Sequence, residues 1–309
     1  MINPILYTFH LGNLQIPIRW YGLLIVTGAV AASFYAAWYV KRRGFNPDIV
    51  WDSLIWLLVS GILGARIWYV LNDIIGGNTR YLQNPAEIPQ IWHGGLNILG
   101  GVVVAALVGW WYSKKYKIDF WLLADAAGPA MLLGQAIGRW GNFINQELYG
   151  QPTTLPWGIP IDAAHRIPPW TDLTAFPVAT TRFHPTFAYE MIWNLVCWGI
   201  MVYLIIRLGK RLKPGYLMSF WLLASGIGRT WVEFFRPDQP RFLNTSVSTS
   251  MLISIGFALA GLIILLARSG KISIGFIPPA ADDYTPSEAP SAQKKEAPSG
   301  KRRHPRRRE

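Results

Sequence analysis

Long apolar runs separated by short polar connections dominate this chain. A helix that crosses a membrane needs about 20 mostly apolar residues. Seven segments satisfy this requirement, and they are 18–40, 49–71, 97–113, 119–138, 186–207, 215–235 and 247–267. The pattern therefore predicts an all-α polytopic membrane protein with seven transmembrane helices.

The basic connections between these runs predict the orientation of the chain. Residues 41–43, 114–117 and 207–213, together with Arg268, all fall on one side of the predicted membrane. Lys and Arg accumulate in cytoplasmic loops. We therefore expect the N-terminus outside and the C-terminus in the cytoplasm.

Three regions follow from this topology. Residues 1–17 lack the basic region and cleavage site of a signal peptide and are interpreted as an outer N-terminal arm. Residues 18–275 form the membrane domain, and roughly 141–185, rich in Gly, Pro and aromatic residues, form a small extracytoplasmic head. Residues 276–309 combine Pro, Ala, Ser, Lys and Arg without an apolar period, which predicts a disordered basic cytoplasmic tail.

Composition supports a membrane protein and argues against nucleic acid as a partner. The chain is 51% hydrophobic and 15% charged, and it contains 16 Trp. Half of its net charge of +12 comes from the tail, where residues 294–309 hold eight Lys or Arg and two Glu. The single cysteine, Cys197, lies in an apolar run, so an internal disulfide and a cysteine metal cluster are both excluded.

The candidate chemistry lies at the predicted outer ends of the helices. A dense polar and glycine-rich segment, 138–150, directly follows the fourth apolar run. Ionisable groups at membrane depth are costly and are usually functional. The others at this level are Tyr21, Arg66, His93, Glu190, Arg229, Glu233 and Arg236.

Spacing places three of these groups on one helix face, because Arg229, Glu233 and Arg236 follow i, i+4, i+7. An Arg–Glu pair can aim a guanidinium at an anion, or it can be an interfacial salt bridge that only locks the helix. Arg139, from a different helix, favours an excess of positive charge suited to a phosphate. His93, directly before the glycine pair Gly94-Gly95, suits either a reacting group or a hydrogen-bonded anchor.

Several motifs together resemble the prolipoprotein diacylglyceryl transferase family of bacterial inner membranes, from Arg19 to about the end of the seventh helix. The most specific block is 138–150, of the form GRxGNFxNxExxG. The others are Trp20-Tyr21-Gly22, His93-Gly94-Gly95-Leu96, His184-Pro185 with Tyr189-Glu190, and 228–238.

The resemblance implies transfer of diacylglyceryl from phosphatidylglycerol to the thiol of a lipobox cysteine in a signal-peptide-bearing prolipoprotein. This is the first step of bacterial lipoprotein maturation, and it yields a thioether and glycerol phosphate. The expected partners are these two substrates and membrane lipids, with no nucleic acid, metal or cofactor, at a site facing the outer leaflet. The family's important positions correspond here to Tyr21, His93, Arg139, Asn142, Glu147, Gly150, Arg229, Glu233 and Arg236.

The chemistry suggests roles for these residues. Sulfur attack requires a thiolate, so a base or a positive field must assist; His93 is one candidate for the base and Tyr21 the competing one. Arg139 and Arg229 would stabilise the departing phosphate, with the Asn142 amide as a neutral donor, while Glu233 orients Arg229.

The remaining positions are less specific. Arg236 and Gly150 would help bind the headgroup, Gly150 by shaping its loop. Glu147 would position a partner or cap that loop. A transporter and a non-catalytic scaffold remain the alternative classes. A transporter would need polar residues through both leaflets, whereas the other halves of the helices offer mainly Asp52 and Asp125.

Overall fold

The fold is a bundle of long helices preceded by a short β-hairpin. The computed structural model describes residues 3–11, 14–91, 94–236, 239, 245 and 247–285. The strands are β1 (Ile5–Leu11) and β2 (Leu14–Arg19), and the helices are α1 (Trp20–Arg42), α2 (Asp48–Ile75), the single-turn α3 (Arg80–Gln83), α4 (Ile98–Lys115), α5 (Phe120–Ile144), α6 (Thr186–Leu208), α7 (Tyr216–Glu233) and α8 (Thr249–Arg268).

Each of the seven predicted segments coincides with one long helix. Within the part of the chain that the structure describes, five helices are long and apolar enough to cross a membrane, namely α1, α2, α5, α6 and α8. The helices α4 and α7, of 18 residues each, are not among them. The chain is thus a helical membrane protein, and the seven-span topology with its orientation stays a prediction.

The hairpin was not predicted from the sequence. The two strands pair antiparallel, with Tyr7 opposite Ile18. The backbone N–H of Trp20 donates to the carbonyl of Pro4 at 3.1 Å, which ties the hairpin to the start of α1. The region interpreted as an arm therefore begins with paired strands beside the first helix.

Close helix packing divides the bundle into three pairs, which are α1 with α5, α2 with α4, and α7 with α8. Glycines allow the backbones to touch. A Cβ added to Gly28 would lie 2.9 Å from the Gly134 carbonyl oxygen, and one added to Gly64 would lie 2.6 Å from that of Gly100. Small residues at such crossings are typical of helices that associate in a membrane. The helix α5 also contacts α6 and α7, so it forms the centre of the bundle.

A buried carboxylate organises the end of the bundle where α7 begins, which we call the basic end because Arg43, Lys210 and Arg268 lie there. Asp125 of α5 is 1% exposed. It accepts hydrogen bonds from the backbone N–H groups of Gly215 at 2.6 Å and Met218 at 2.8 Å. Asp125 therefore caps α7 from a neighbouring helix.

The segment after α8 returns to this carboxylate. The Tyr284 hydroxyl donates to Asp125 at 2.7 Å and lies 2.7 Å from the Tyr39 hydroxyl. Burial raises the pKa of the Tyr284 phenol, so it remains protonated and able to donate. Arg43 pairs with Asp283 at 2.9 Å. The tail predicted from residue 276 thus begins with a segment that packs on the helices, because Tyr284 satisfies a buried carboxylate; residues 286–309 lie outside the described residues.

Residues 145–185 form a small head between α5 and α6. Its own core consists of Tyr149, Ile161, Trp170 and Phe183. The Tyr149 hydroxyl accepts from the backbone N–H of Ile167 at 2.8 Å, which fixes the loop that covers this core. The head therefore continues directly from the polar segment at the end of α5.

Candidate active site

A cavity of about 690 Å³ opens between α4, α5, α6, α7 and α8. Part of its wall is charged, with Arg139, Glu190, Arg229 and Arg236. The remainder is largely apolar and includes Val102, Trp193, Trp221, Ile253 and Phe257. A cavity with charged groups in one part of its wall and broad apolar surface elsewhere suits an amphipathic ligand.

Glu190 joins two arginines from different helices within this wall. It lies in the second turn of α6 and is 9% exposed. One carboxylate oxygen forms an ion pair with Arg139 of α5. The other accepts from Nη1 of Arg229 at 2.6 Å, and Arg229 comes from α7. The two guanidinium groups are therefore held close together, as predicted for arginines that converge from different helices.

Glu233 forms a second contact with Arg229, four residues earlier on α7. The Arg229 Nη2 lies 3.2 Å from Glu233 Oε2. The other oxygen of Glu233 accepts from the Ser248 hydroxyl at 2.8 Å. Nε of Arg229 donates to the Ser250 hydroxyl at 3.1 Å. The i, i+4 ion pair is confirmed, and it is buttressed by the start of α8.

Arginines outnumber carboxylates among the described residues that line the cavity. Arg236 lines the same wall as Arg139 and Arg229 and is 6% exposed. Among the residues that the structure describes, Glu190 contacts Arg139 and Arg229, and Glu233 contacts Arg229. The excess of positive charge in a site with apolar walls favours an anionic group of the ligand, since Coulomb interactions strengthen where water is excluded.

Asn142 and Glu147 lie behind Arg139 and do not line the cavity. The Asn142 side-chain oxygen accepts from Nη1 of Arg139 at 3.1 Å, and its amide donates to Glu147 at 2.7 Å. Asn145 also reaches Glu147, at 3.4 Å. Because its amide is already engaged, Asn142 acts on Arg139 in this arrangement and does not point a donor at a ligand, which differs from the role expected from the sequence.

Tyr21 lies in the first turn of α1 beside the same polar segment. It is 36% exposed and interacts electrostatically with Glu147 and Arg139. Its ring packs on Gly141, where an added Cβ would clash with it. The structure therefore places Tyr21 next to the arginine network, at the margin of the site.

Gly150 has a structural role, because it joins the head to the chain that follows α7. Its N–H donates to the His184 carbonyl at 2.8 Å, and a Cβ there would lie 2.6 Å from the carbonyl oxygen of Phe235. The next residue, Gln151, donates to that same carbonyl at 2.8 Å. Gly150 thus fastens the head to the chain immediately before Arg236, where only a residue without a side chain fits.

His93 lies outside the described residues, so its expected role stays a prediction. Arg66, which the sequence placed at the same level, does not face the cavity. Its guanidinium donates to the carbonyls of Ile88 at 2.6 Å, Glu87 at 2.8 Å, Gly94 at 2.8 Å and Gly95 at 2.9 Å. This arginine is therefore satisfied by the backbone of the connection between α3 and α4.

Glu190 is the site residue that sequence reasoning undervalued. It was noted at the outer level and in the Tyr189-Glu190 motif, but the orienting role was given to Glu233 alone. The available signal was a lone carboxylate near the start of an apolar helix, which needs a cationic partner. Its double partnership depends on two other helices and is visible only in the fold.

The fold is that of a helical membrane protein with an arginine-lined cavity. A family model described as prolipoprotein diacylglyceryl transferase matches residues 7–267. The chain belongs to this family, as the sequence motifs indicated, and it is a transferase.

Curated relatives agree with this assignment. A phosphatidylglycerol–prolipoprotein diacylglyceryl transferase of Chloroflexus aggregans is 43% identical over 244 residues, which cover 77% of this chain and 78% of the relative. A protein of the same name from Nostoc sp. is 40% identical, and the alignment covers 87% of this chain and 92% of the relative. Another, from Bifidobacterium adolescentis, is 36% identical, and the alignment covers 87% of this chain and 80% of the relative.

Proposed function

We propose that this protein transfers the diacylglyceryl group of phosphatidylglycerol to the lipobox cysteine thiol of prolipoproteins and releases glycerol phosphate. The observation that carries the proposal is the pair of arginines, Arg139 and Arg229, bridged by Glu190 in the wall of an otherwise largely apolar cavity. The names of the relatives supply the two substrates. A phospholipid has the matching form, with an anionic headgroup joined to apolar chains.

The reaction is a displacement at the glycerol carbon. The cysteine sulfur forms a bond to that carbon while the bond from carbon to phosphate oxygen breaks, and the thiol proton passes to a base. His93 is our candidate for the base and Tyr21 the alternative. Negative charge develops on the departing phosphate, where Arg139 and Arg229 stabilise it more than in the ground state.

The other residues act through these arginines. Asn142 and Glu233 hold Arg139 and Arg229 by side-chain contacts at 3.1 Å and 3.2 Å. Glu147 holds Asn142 in turn. Arg236 adds positive charge at the cavity wall, and Gly150 fixes the chain before it. The scheme invokes no cofactor.

The proposal places the protein in the bacterial inner membrane with seven spans. The N-terminus is then outside, the C-terminus is cytoplasmic, and the site faces the outer leaflet. The support is the position of the basic residues. Lys41, Lys114, Lys210 and Arg268 lie in or just after the last turns of α1, α4, α6 and α8, whereas Arg139, Glu190 and Arg229 lie toward the opposite end of the bundle. Basic residues collect on the cytoplasmic side of membrane proteins.

Transfer in nanodiscs tests the proposal. Phosphatidylglycerol labelled in its diacylglycerol part is incubated with the purified protein and a lipobox peptide, and a Cys→Ser peptide serves as the acceptor control. We expect label on the cysteine peptide alone. Arg139→Ala should lower the rate by roughly 100-fold or more, the scale seen when one transition-state charge donor is removed.

The matched control is Arg80→Ala, because Arg80 also pairs with a glutamate, Glu87, but lies exposed and away from the cavity. This variant should transfer at the normal rate. Label on the serine peptide, or an equal loss in both variants, would contradict the proposed site. An absence of transfer by the folded unaltered protein would refute the function itself.

A further inference from the structure

Glu190 is not the sole support of either arginine that it contacts. Each arginine it contacts has another anchor. Arg139 is held by Asn142 at 3.1 Å, and Arg229 by Ser250 at 3.1 Å and Glu233 at 3.2 Å. Each guanidinium group therefore has at least one side-chain contact besides Glu190. What Glu190 alone contributes is a negative charge between them.

The position of that charge is where an anionic ligand would bind. The carboxylate uses both of its oxygens, one for each arginine, and it lines the cavity together with them. A phosphate group makes the same type of contact, with two oxygens on two guanidinium groups. Each of the three guanidinium nitrogens of Arg229 has an oxygen within 3.2 Å in this arrangement. A phosphate that takes the place on Arg229 Nη1 now held by Glu190 must therefore compete with a carboxylate.

We propose that Glu190 is an internal anion that competes with the phosphate group of substrate and product for Arg139 and Arg229, and so limits how tightly glycerol phosphate is retained. The inference rests on the proposed function and adds to it a residue that governs product release. Without a competing charge, the same two arginines that stabilise the transition state would also hold the departing phosphate tightly. Uniform binding of this kind does not increase turnover.

Two roles for Glu190 predict opposite results when its charge is removed. If Glu190 competes with phosphate, Glu190→Gln frees both guanidinium groups and phosphate binds more tightly. If Glu190 only positions the arginines, the same change loosens them and phosphate binds more weakly. The sign of the change in phosphate affinity therefore distinguishes the two roles.

The experiment measures inhibition of transfer by glycerol phosphate in nanodiscs for the unaltered protein and for Glu190→Gln. We expect the inhibition constant to fall about tenfold in the variant, a difference of about 1.4 kcal/mol in binding free energy. The turnover number and the KM for phosphatidylglycerol should fall together, because product leaves slowly. The control is Glu87→Gln, an arginine-paired carboxylate outside the cavity, which should show no change.

Calorimetric binding of inorganic phosphate to the same proteins separates this inference from the proposed function, because it does not require transfer. Tighter binding by Glu190→Gln supports competition even if no label moves. Unchanged or weaker binding overturns it even if transfer proceeds. Should Glu190→Gln fail to fold, Glu190→Asp retains the charge but shortens its reach to the two arginines. It should bind phosphate more tightly than the unaltered protein, and equal or weaker binding would contradict the inference.

Discussion

At the scale of single residues, identical side chains have different functions because of their partners. Arg66 and Arg139 both lie late in an apolar helix, and both are isolated charges in the sequence. Arg66 donates to four backbone carbonyls, whereas Arg139 contacts Glu190 in the wall of the cavity. A guanidinium satisfied by carbonyls retains its positive charge but cannot be aimed at a ligand.

A buried histidine makes the head sensitive to acid. His184 is 8% exposed, its Nδ1 lies 3.0 Å from the Tyr189 hydroxyl, and burial lowers the pKa of its imidazole. The unfolded chain takes up this proton near pH 6.5, whereas the folded protein does so only at lower pH. The unfolded state therefore binds more protons, and stability falls as the pH decreases below about 6.5.

We expect His184→Gln to weaken this dependence. Melting temperatures between pH 7.5 and pH 5 should decrease less for the variant than for the unaltered protein, even if the variant is less stable at neutral pH. His165→Gln, at an exposed histidine of the same head, provides the control. Identical pH profiles for all three proteins would show that His184 does not couple to folding.

At the scale of elements, backbone contact between helices determines which substitutions are tolerated. The helices α2 and α4 meet at Gly64 and Gly100, where a Cβ on Gly100 would lie 2.5 Å from the Gly64 carbonyl oxygen. By contrast, a Cβ on Gly199 of α6 meets nothing within 4 Å. The same change should therefore have different effects at the two glycines.

We expect Gly100→Ala to destabilise the protein by about 1–3 kcal/mol, since the two helices must separate to accommodate the methyl group. Gly199→Ala should be neutral within about 1 kcal/mol, because alanine fits the open space and favours the helix. Thermal unfolding in one detergent measures both. Equal melting temperatures for the two variants would mean that the α2–α4 crossing adjusts without cost.

The helices themselves were predictable because each depends on a local property, a long apolar run. The Arg229–Glu233 contact was predictable for the same reason, since it is set by spacing within one helix. The hairpin was missed although Gly12-Asn13 separates two β-prone runs, which is a recognised turn signal. The partners of Glu190 were not predictable, because they depend on how α5, α6 and α7 converge.

At the scale of the whole molecule, the chain after α8 helps close the basic end of the bundle. Tyr284 is 5% exposed and donates to Asp125, which in turn caps α7. The sequence around Tyr284 is polar and rich in proline, so nothing local indicated that this residue is buried. The contact connects the last described segment to the helix that carries Arg229.

We expect Tyr284→Phe to lower the free energy of unfolding by about 1–3 kcal/mol, because the buried Asp125 carboxylate loses a donor. Removal of residues 286–309 should leave the free energy of unfolding unchanged. Removal from residue 278 onward should lower this free energy at least as much as Tyr284→Phe does. Tyr203→Phe, at a 59% exposed tyrosine of α6, is the control. Thermal denaturation in detergent ranks these four variants against the unaltered protein. A variant that ends at residue 277 and is as stable as the unaltered protein would refute this role of Tyr284.

The glycine crossings also bear on how the lipid substrate proposed above would reach the cavity. The wall takes Val102 from the α2–α4 pair, Arg139 from the α1–α5 pair, and Arg229 and Ile253 from the α7–α8 pair. Each pair is joined backbone to backbone and resists internal separation. Widening the cavity without breaking a pair therefore requires a pair or α6 to move as a unit, and the proposed lipid would enter through a seam between such units rather than through the interior of a pair.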